Sequence, residues 1–524
     1  MAQTIFQSKH PPVDLERYKD HTYGSFLQGC IREHPDSIIV DTSLNVTITY
    51  KKLDDLSLQF ANIFEGLGFL PHDVAHIYAD NSILWSAACI GCQYKGLITS
   101  ASHTTSPGKD LNRNLKATNS SLLITTTEKW DAVKNQFSNE KLSWVITCRE
   151  IVNENGHYEI QTEKIFLKEI CHSDDDDLND VCYMVMSSGS TGTPKVIALQ
   201  SHYCIGLAIL FCHPTSIHVL KGESLSVLQP FPHIGGFTGN FAPFIYAGAS
   251  LYFIRTFDDS FIDKIVKYKI QHVFAVAAIF TYLTTSKLVK TSDFAFVKSI
   301  VTGGSLHGAE VHKKAVERVG KHVKLINVYG MSEACPLFSS FTISKAGYVS
   351  PNGSFKLVSL ENPDICSNPG EICVKGLPMF KCYYRDEEKT KLCFTKDGFF
   401  RTGDYGRVEE DGELEILSRT KEVIKFRGYI IFPPELENYL NAHPSVQSSA
   451  VVGKTDEVNG ELPVAFVVLR DEVSTEALKE HVKSEVPEYK RLHHIKILKE
   501  MPLNNNKKID KIFLKKEAEA CFTA

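Results

Sequence analysis

Short apolar runs recur along the chain. They end in polar or glycine-rich turns and are separated by segments whose apolar residues fall at every third or fourth position. The runs 120–126, 143–147, 181–188 and 297–304 have the length and composition of buried strands. The segment 53–68, "LDDLSLQFANIFEGLG", carries apolar positions at helical spacing and predicts an amphipathic helix. Strands alternating with helices predict a largely parallel α/β sheet, on which ligands bind beyond the carboxyl ends of the strands. Toward the C-terminus the pattern changes. The stretch 407–417, "RVEEDGELEIL", reads as a hairpin with Asp411 and Gly412 at its turn. Pro433 and Pro434 open a helix with Leu436, Tyr439 and Leu440 on one face. Strands at 448–454 and 463–470, a helix near 474–485 and a strand at 494–498 complete a small unit of roughly 100 residues.

Composition changes this picture in a few places. A chain of 524 residues exceeds one compact core, so several packed units are expected. With 43% hydrophobic and 23% charged residues, it has the make-up of an ordinary globular protein. A formal net charge of −5 offers no electrostatic basis for binding nucleic acid or an anionic membrane. The longest apolar run, near 273–283, is far short of the roughly 20 residues that span a bilayer, so no transmembrane segment is expected. The N-terminal "MAQTIFQSKHPP" lacks the apolar core of a signal peptide, and "KEAEACFTA" at the other end carries no peroxisomal tripeptide. A cytoplasmic location is therefore expected over a peroxisomal one. The 14 cysteines are scattered, as free thiols in a reducing compartment would be. Cys89 and Cys92 have C-x-x-C spacing, but no second pair matches them, so they read as two small buried thiols. The acidic run 173–177 reads as a solvated loop before a strand.

The candidate chemistry starts at "MSSGSTGTPK", residues 186–195, which follows a predicted strand. It could be a plain flexible loop, since glycine and serine are common in turns. It is not a Walker-type loop, because Gly192 is followed by Thr193 and not by lysine. It could also be a different phosphate cradle. Ser187, Ser188, Ser190, Thr191 and Thr193 supply hydroxyls, Gly189 and Gly192 permit close backbone approach, and Lys195 adds a positive charge.

The loop resembles the signature of the adenylate-forming superfamily, which includes acyl-CoA synthetases, 4-coumarate–CoA ligases, firefly luciferases and the adenylation domains of peptide synthetases. Further segments resemble the family's motifs in the same order. They are "VTGGS" (301–305), "NVYGMSEA" (327–334), "RTGD" (401–404), "SRTKEVIKFRGYIIFPPELE" (418–437) and "PLNNNKKIDK" (502–511). The resemblance spans nearly the whole chain. It implies an α/β fold with a large N-terminal domain of several subdomains and mainly parallel sheets, residues 1–418. A small mobile α+β C-terminal domain, residues 419–524, would follow.

The resemblance also implies roles. The loop Ser187 to Lys195 would hold the β- and γ-phosphates of ATP, and Gly303, Gly304 and Ser305 would line the adenylate site. Asn327, Tyr329 and Gly330 would lie along the adenine, and Ser332, where the family usually has threonine, would face the α-phosphate. Glu333 would bind Mg²⁺, a cation that takes one or two carboxylates together with phosphate oxygens. Asp404 and Arg419 would hold the ribose. Lys508 would bridge the carboxylate and the α-phosphate, with Lys507 as a neighbouring amine where the family usually has glycine. Lys421 would be the hinge, Lys425 a residue of the thioester stage, and Gly428 part of the coenzyme A path. Val196 and Val328 stand where the family often has glycine.

In "PFPHIGGF" (230–237), His233 would gate the acyl pocket, with Gly235, Phe237, Pro336 and Leu337 among its walls. Gly235 and Gly236 suggest room for a bulky acyl group. No acid is present there to hold a substrate amine, so an apolar aromatic or fatty acid is expected rather than an amino acid. The expected activity is ATP-dependent acyl-CoA ligation by a monomer or homodimer. Two alternatives share the motifs: a luciferase-like oxygenase that oxidises its adenylate, and a catalytically silent relative that only binds nucleotide.

Overall fold

The computed structural model describes residues 4–105, 108–136, 141–172, 178–187, 195–304, 309–376, 378–503 and 509–522. By compactness the chain forms two units. One comprises Gln7–Ser354 with Gly376–Cys393, and the other Met1–Phe6, Phe355–Lys375 and Phe394–Ala524. The segment 419–524 lies wholly within the second.

The first unit is built on two large sheets. In the eight-stranded sheet, strands Val181–Ser187, Ile98–Ala101, Val74–Tyr78, Leu122–Thr126 and Trp144–Val152 run parallel to their neighbours, and antiparallel strands close both edges. The nine-stranded sheet is also parallel inside, from Ile38–Asp41 across to Lys324–Met331, with antiparallel partners at its edges. The predicted strands at 120–126, 143–147, 181–188 and 297–304 all form, and the second runs on to Val152.

Local chemistry sets the helix ends. The predicted helix at 53–68 forms as Tyr50–Gly66, and the Thr49 hydroxyl accepts from the Lys52 amide. Helix Ile83–Lys95 starts at Ser82, whose side chain accepts from the Trp85 amide. It stops at Gly96, whose φ of +77° is the left-handed conformation that glycine adopts without strain. This helix is buried on all sides and contains Cys89 and Cys92. Burial raises both thiols, so they are packing groups as their sequence context implies. The apolar run near 273 splits into the strand His272–Phe274 and the helix Ala277–Thr285. Among the described residues no helix is long and apolar enough to cross a membrane.

The second unit carries two five-stranded sheets. In one, strands Gly370–Lys375, Phe400–Val408 and Leu414–Arg419 are antiparallel, with the predicted hairpin turn at Asp411–Gly412. The other is formed by strands Ile424–Phe426, Tyr429–Ile431, Val446–Asp456, Gly460–Leu469 and His494–Leu498. Helices Pro433–Ala442 and Thr475–Lys483 bury Leu436, Leu440, Leu478 and Val482 against it. The C-terminal helix Lys511–Cys521 buries Leu514 and Ala518 against Ala450, Val452, Val464 and Phe466.

Candidate active site

In the first unit two of the phosphate-loop candidates, Ser187 and Lys195, lie at the end of an antiparallel strand pair. Ser187 ends one strand, Lys195 begins the next, and the two residues face each other across the ladder. Residues 188–194 lie outside the described residues, as do Ser305, Lys507 and Lys508. So the hydroxyls of Ser188, Ser190, Thr191 and Thr193 and the glycines Gly189 and Gly192 have no described geometry. Val196, where the family often has glycine, pairs with Met186 and packs among Val74, Ile98, Met184 and Ala198. The position serves the core.

Strand Ser299–Gly303 runs parallel to Lys324–Met331, with Thr302 opposite Asn327 and Gly303 opposite Val328. Gly303 is required by packing, since a Cβ there would lie 2.6 Å from the Val328 carbonyl oxygen. Gly304 has φ +73°. Asn327 is buried and donates to the Lys345 carbonyl at 2.7 Å. Tyr329 packs on Phe338 with ring centroids 5.8 Å apart. Gly330 passes Cys335 so closely that a Cβ would meet its sulfur at 2.8 Å. The strand therefore delivers Ser332 and Glu333 just beyond its carboxyl end, where ligands of such sheets bind.

Two tyrosines not singled out by sequence hold this turn. The Tyr203 hydroxyl donates to the Ser332 carbonyl at 3.2 Å. The Tyr383 hydroxyl donates to Glu333 Oε1 at 2.6 Å. Burial, and then the Glu333 charge, push the Tyr383 phenol above its ordinary value, so it stays protonated and donates at neutral pH. Lys195 Nζ lies 5.0 Å from the centroid of the same ring, a cation–π distance. The Phe380 amide donates to the Glu333 carbonyl at 2.8 Å, which pins the backbone as well.

In the "PFPHIGGF" segment His233 is exposed, and its Nδ1 accepts from the Gly235 amide at 3.0 Å. Phe237 is fully buried in an aromatic cluster with Trp85, Tyr183, Phe231 and Phe241. Pro336 and Leu337 are buried in the strand Ala334–Ser340. Gly236 does not open space. A Cβ there would sit 2.1 Å from the Pro230 carbonyl oxygen, so its glycine answers a close backbone approach. At Gly235 the nearest atom to an added Cβ is the Gln229 side-chain oxygen at 2.6 Å.

In the second unit, Asp404 and Arg419 are direct cross-strand partners, with Arg419 Nε 2.9 Å from Asp404 Oδ1. The carboxylate is buried while most of the arginine is exposed. Thr420 fastens the strand end, its amide and hydroxyl both donating to the Gly403 carbonyl at 2.9 and 3.0 Å. Lys421 and Lys425 are exposed. Gly428 occupies the second position of a two-residue turn, where Arg427 and Gly428 have φ of +49° and +81° and Phe426 pairs with Tyr429. Two positive φ values fit a type I′ turn, and nothing lies within 4 Å of a Cβ at Gly428.

The residues on either side of 504–508 are also described. Leu503 bridges Ile509, and the Asp510 amide donates to the Pro502 carbonyl at 2.9 Å. Lys511 Nζ then contacts Glu422 Oε2 and Glu437 Oε1, each at 2.9 Å. Burial alone would lower this ammonium, but the Glu437 and Glu422 charges outweigh it and raise it. Lys511 thus ties the start of the last helix to the turn after Arg419 and to the helix Pro433–Ala442. Neither Tyr383 nor Lys511 has a local sequence signal. Each is defined by a partner distant in the chain.

Among the described residues no three His, Cys, Asp or Glu side chains gather as a metal-binding cluster. The single carboxylate Glu333 suits a hard cation that arrives with phosphate oxygens and water rather than one held in an all-protein cage.

A family model described as "AMP-binding enzyme" matches residues 27–384, and one described as "AMP-binding enzyme C-terminal domain" matches residues 435–508. The chain is 28% identical to 4-coumarate–CoA ligase 1 of Petroselinum crispum, over 96% of this chain and 95% of the relative. It is also 28% identical to 4-coumarate–CoA ligase 3 of Arabidopsis thaliana, over 96% and 92%. Among solved structures, ATP-bound MatB from Rhodopseudomonas palustris superposes with a TM-score of 0.82 at 20% identity. That match covers 95% of this chain and all of the other.

Proposed function

The chain belongs to the AMP-binding enzyme family, and from that premise we propose that it is an AMP-forming acyl-CoA ligase acting on an aromatic or fatty acid. A carboxylate is a poor acyl donor, and adenylation cures this. Its oxygen attacks the α-phosphorus of ATP, the bond to the β-phosphate breaks, and pyrophosphate leaves. The thiol sulfur of coenzyme A then attacks the acyl carbon, the bond to AMP breaks, and the thiol proton passes to solvent. Catalysis of this kind is mostly positioning and charge stabilisation.

The observation that carries this reading is the cluster of Lys195, Tyr383 and Glu333. It joins a cation at the exit of the glycine–hydroxyl loop to a carboxylate beyond a parallel strand. In this reading the 188–194 loop and Lys195 hold the leaving phosphates. Glu333 is the carboxylate for Mg²⁺, which would supply positive charge to the phosphates. Ser332 faces the α-phosphate, and Tyr329, Asn327 and Gly303–Gly304 lie along the adenine. Asp404 accepts from the ribose hydroxyls, which a buried carboxylate does well. Arg419 orients that carboxylate. Lys508 bridges the two reacting anions and must withdraw before the thiol enters, so the 419–524 domain moves about Lys421 between the half-reactions. Lys425 and Gly428 then serve the thiol stage, and His233 gates the acyl group. The names of the plant relatives, 4-coumarate–CoA ligases, support coenzyme A as acceptor and an aromatic acid as one candidate substrate.

The test is a carboxylate panel with ATP, Mg²⁺ and coenzyme A, read by pyrophosphate release and by mass detection of the thioester. Aromatic or medium-to-long acids are expected to give both products. ATP binding with no pyrophosphate from any acid would overturn the proposal in favour of a silent nucleotide-binding protein.

A further inference from the structure

Tyr383 sits at the junction of two groups, Lys195 and Glu333, to which the proposed chemistry gives separate tasks. Its short strand, Cys382–Tyr383, is added antiparallel to the edge of Lys195–Gln200, with Tyr383 opposite Ile197. Lys195 is two residues from Ile197 and so shares its face of the strand, which brings the Lys195 ammonium onto the Tyr383 ring at 5.0 Å. The hydroxyl at the far end of the ring donates to Glu333 Oε1 at 2.6 Å.

The surroundings hold the ring in place. Phe380 packs on it with centroids 5.0 Å apart, and the Tyr383 amide donates to Thr390 Oγ1 at 3.0 Å. Ala334 bridges Met379, and the Phe380 amide reaches the Glu333 carbonyl, so the 379–383 segment braces both the backbone and the side chain of Glu333. The ring is buried, so its hydroxyl has little water to turn to.

We propose that Tyr383 is a positioning residue that aims the Glu333 carboxylate at the cation accompanying ATP and registers it against the Lys195 ammonium. This rests on the functional reading above. Occupying one carboxylate oxygen with a phenol donor fixes the side-chain torsions of Glu333 and turns its second oxygen to a defined direction. The same ring carries the Lys195 ammonium on its face, so one side chain sets the position of both charged groups. Tyr383 itself touches no reacting atom.

The experiment is Tyr383→Phe, which keeps the ring and removes only the donor. Binding of a non-hydrolysable ATP analogue is measured by calorimetry over a range of Mg²⁺ concentrations, beside binding of metal-free AMP. The expected result is a rise of roughly 10- to 100-fold in the Mg²⁺ concentration needed for tight analogue binding, the range for losing a hydrogen bond to a charged acceptor. AMP affinity is expected to stay within about twofold, because that ligand brings no metal; a purely structural role would weaken both ligands alike. Equal Mg²⁺ dependence in wild type and variant would overturn the proposal. Failure of the wild type to bind the analogue at any Mg²⁺ concentration would instead sink the underlying functional reading, and this inference with it.

A second measurement does not depend on how the variant folds. 3-Fluorotyrosine at position 383 retains the ring and hydroxyl, and its ¹⁹F resonance is expected to shift when Mg²⁺ is added to the analogue complex. A resonance that does not move would count against the role.

Discussion

His76 offers the sharpest quantitative prediction. It lies at the middle of the central strand Val74–Tyr78 with no exposed surface. Its neighbours are hydroxyls and an amide. Nδ1 meets Ser100 Oγ at 2.6 Å and Nε2 meets Ser102 Oγ at 2.8 Å, while Asn114 Nδ2 donates to Ser102 Oγ at 2.8 Å. Burial pushes the imidazole down from 6.5 to about 3. The unfolded chain therefore binds this proton more tightly than the folded one. The stability that depends on neutral His76 is fully present above about pH 6.5 and is lost as pH falls toward 3. Each pH unit in that window costs about 1.4 kcal/mol, so going from pH 7 to pH 5 removes about 2 kcal/mol through this residue. Ser100 pairs with Met184 in the strand that leads to the 188–194 loop, so acid inactivation is expected to accompany loss of this sheet. The assay is urea unfolding at pH 7 and pH 5 for wild type and His76→Gln. The wild type is expected to lose about 2 kcal/mol more than the variant between the two pH values, because all other titrating groups cancel in the difference. Identical pH slopes, or an imidazole proton resonance of His76 that titrates near 6.5, would refute the reasoning.

Three further outcomes follow from the geometry. Lys511→Met leaves Glu422 and Glu437 facing each other. It is expected to lower stability by about 2 kcal/mol, less than for a fully buried network because the group is partly solvated, with urea unfolding as the readout. Gly236→Ala forces a Cβ to within 2.1 Å of the Pro230 carbonyl oxygen. A loss of about 3 kcal/mol is expected in thermal melts, whereas Gly235→Ala is tolerated because the Gln229 side chain can rotate away. Asp404→Asn keeps size but removes charge, and should weaken binding of AMP by roughly 10- to 100-fold in calorimetry. Unchanged affinity would remove Asp404 from the ribose site.

Much of the fold was legible in local pattern. The runs at 120–126 and 181–188 and the helix at 53–68 declare themselves through side-chain period, and Asp411–Gly412 through turn chemistry. The pairing of Asp404 with Arg419 follows from the hairpin that joins their strands, a connection short enough to read from sequence. Other positions were legible as motif members but not in their reason. Gly236 reads in sequence as room for an acyl group and is instead a backbone contact, and Val196 replaces an expected glycine because its side chain fills a core. Gly428 belongs to the motif that the resemblance places on the thiol path, and its φ of +81° also satisfies a tight turn. In each case the neighbouring atoms belong to chain that only folding brings near.

What the sequence determined by itself is the inventory: which segments become strands and helices, and which carboxylates, lysines and glycines are available for phosphate and acyl chemistry. Period and turn preference are properties of a few consecutive residues, so a short window contains them. What only the tertiary structure decided is partnership. Tyr383 reaches Glu333 because a two-residue strand adds to the edge of Lys195–Gln200, and Lys511 reaches Glu422 at the start of a helix that packs on Ala450, Val452, Val464 and Phe466. Strand register and helix docking are set by the burial of many side chains at once, and no local stretch of chain encodes that sum.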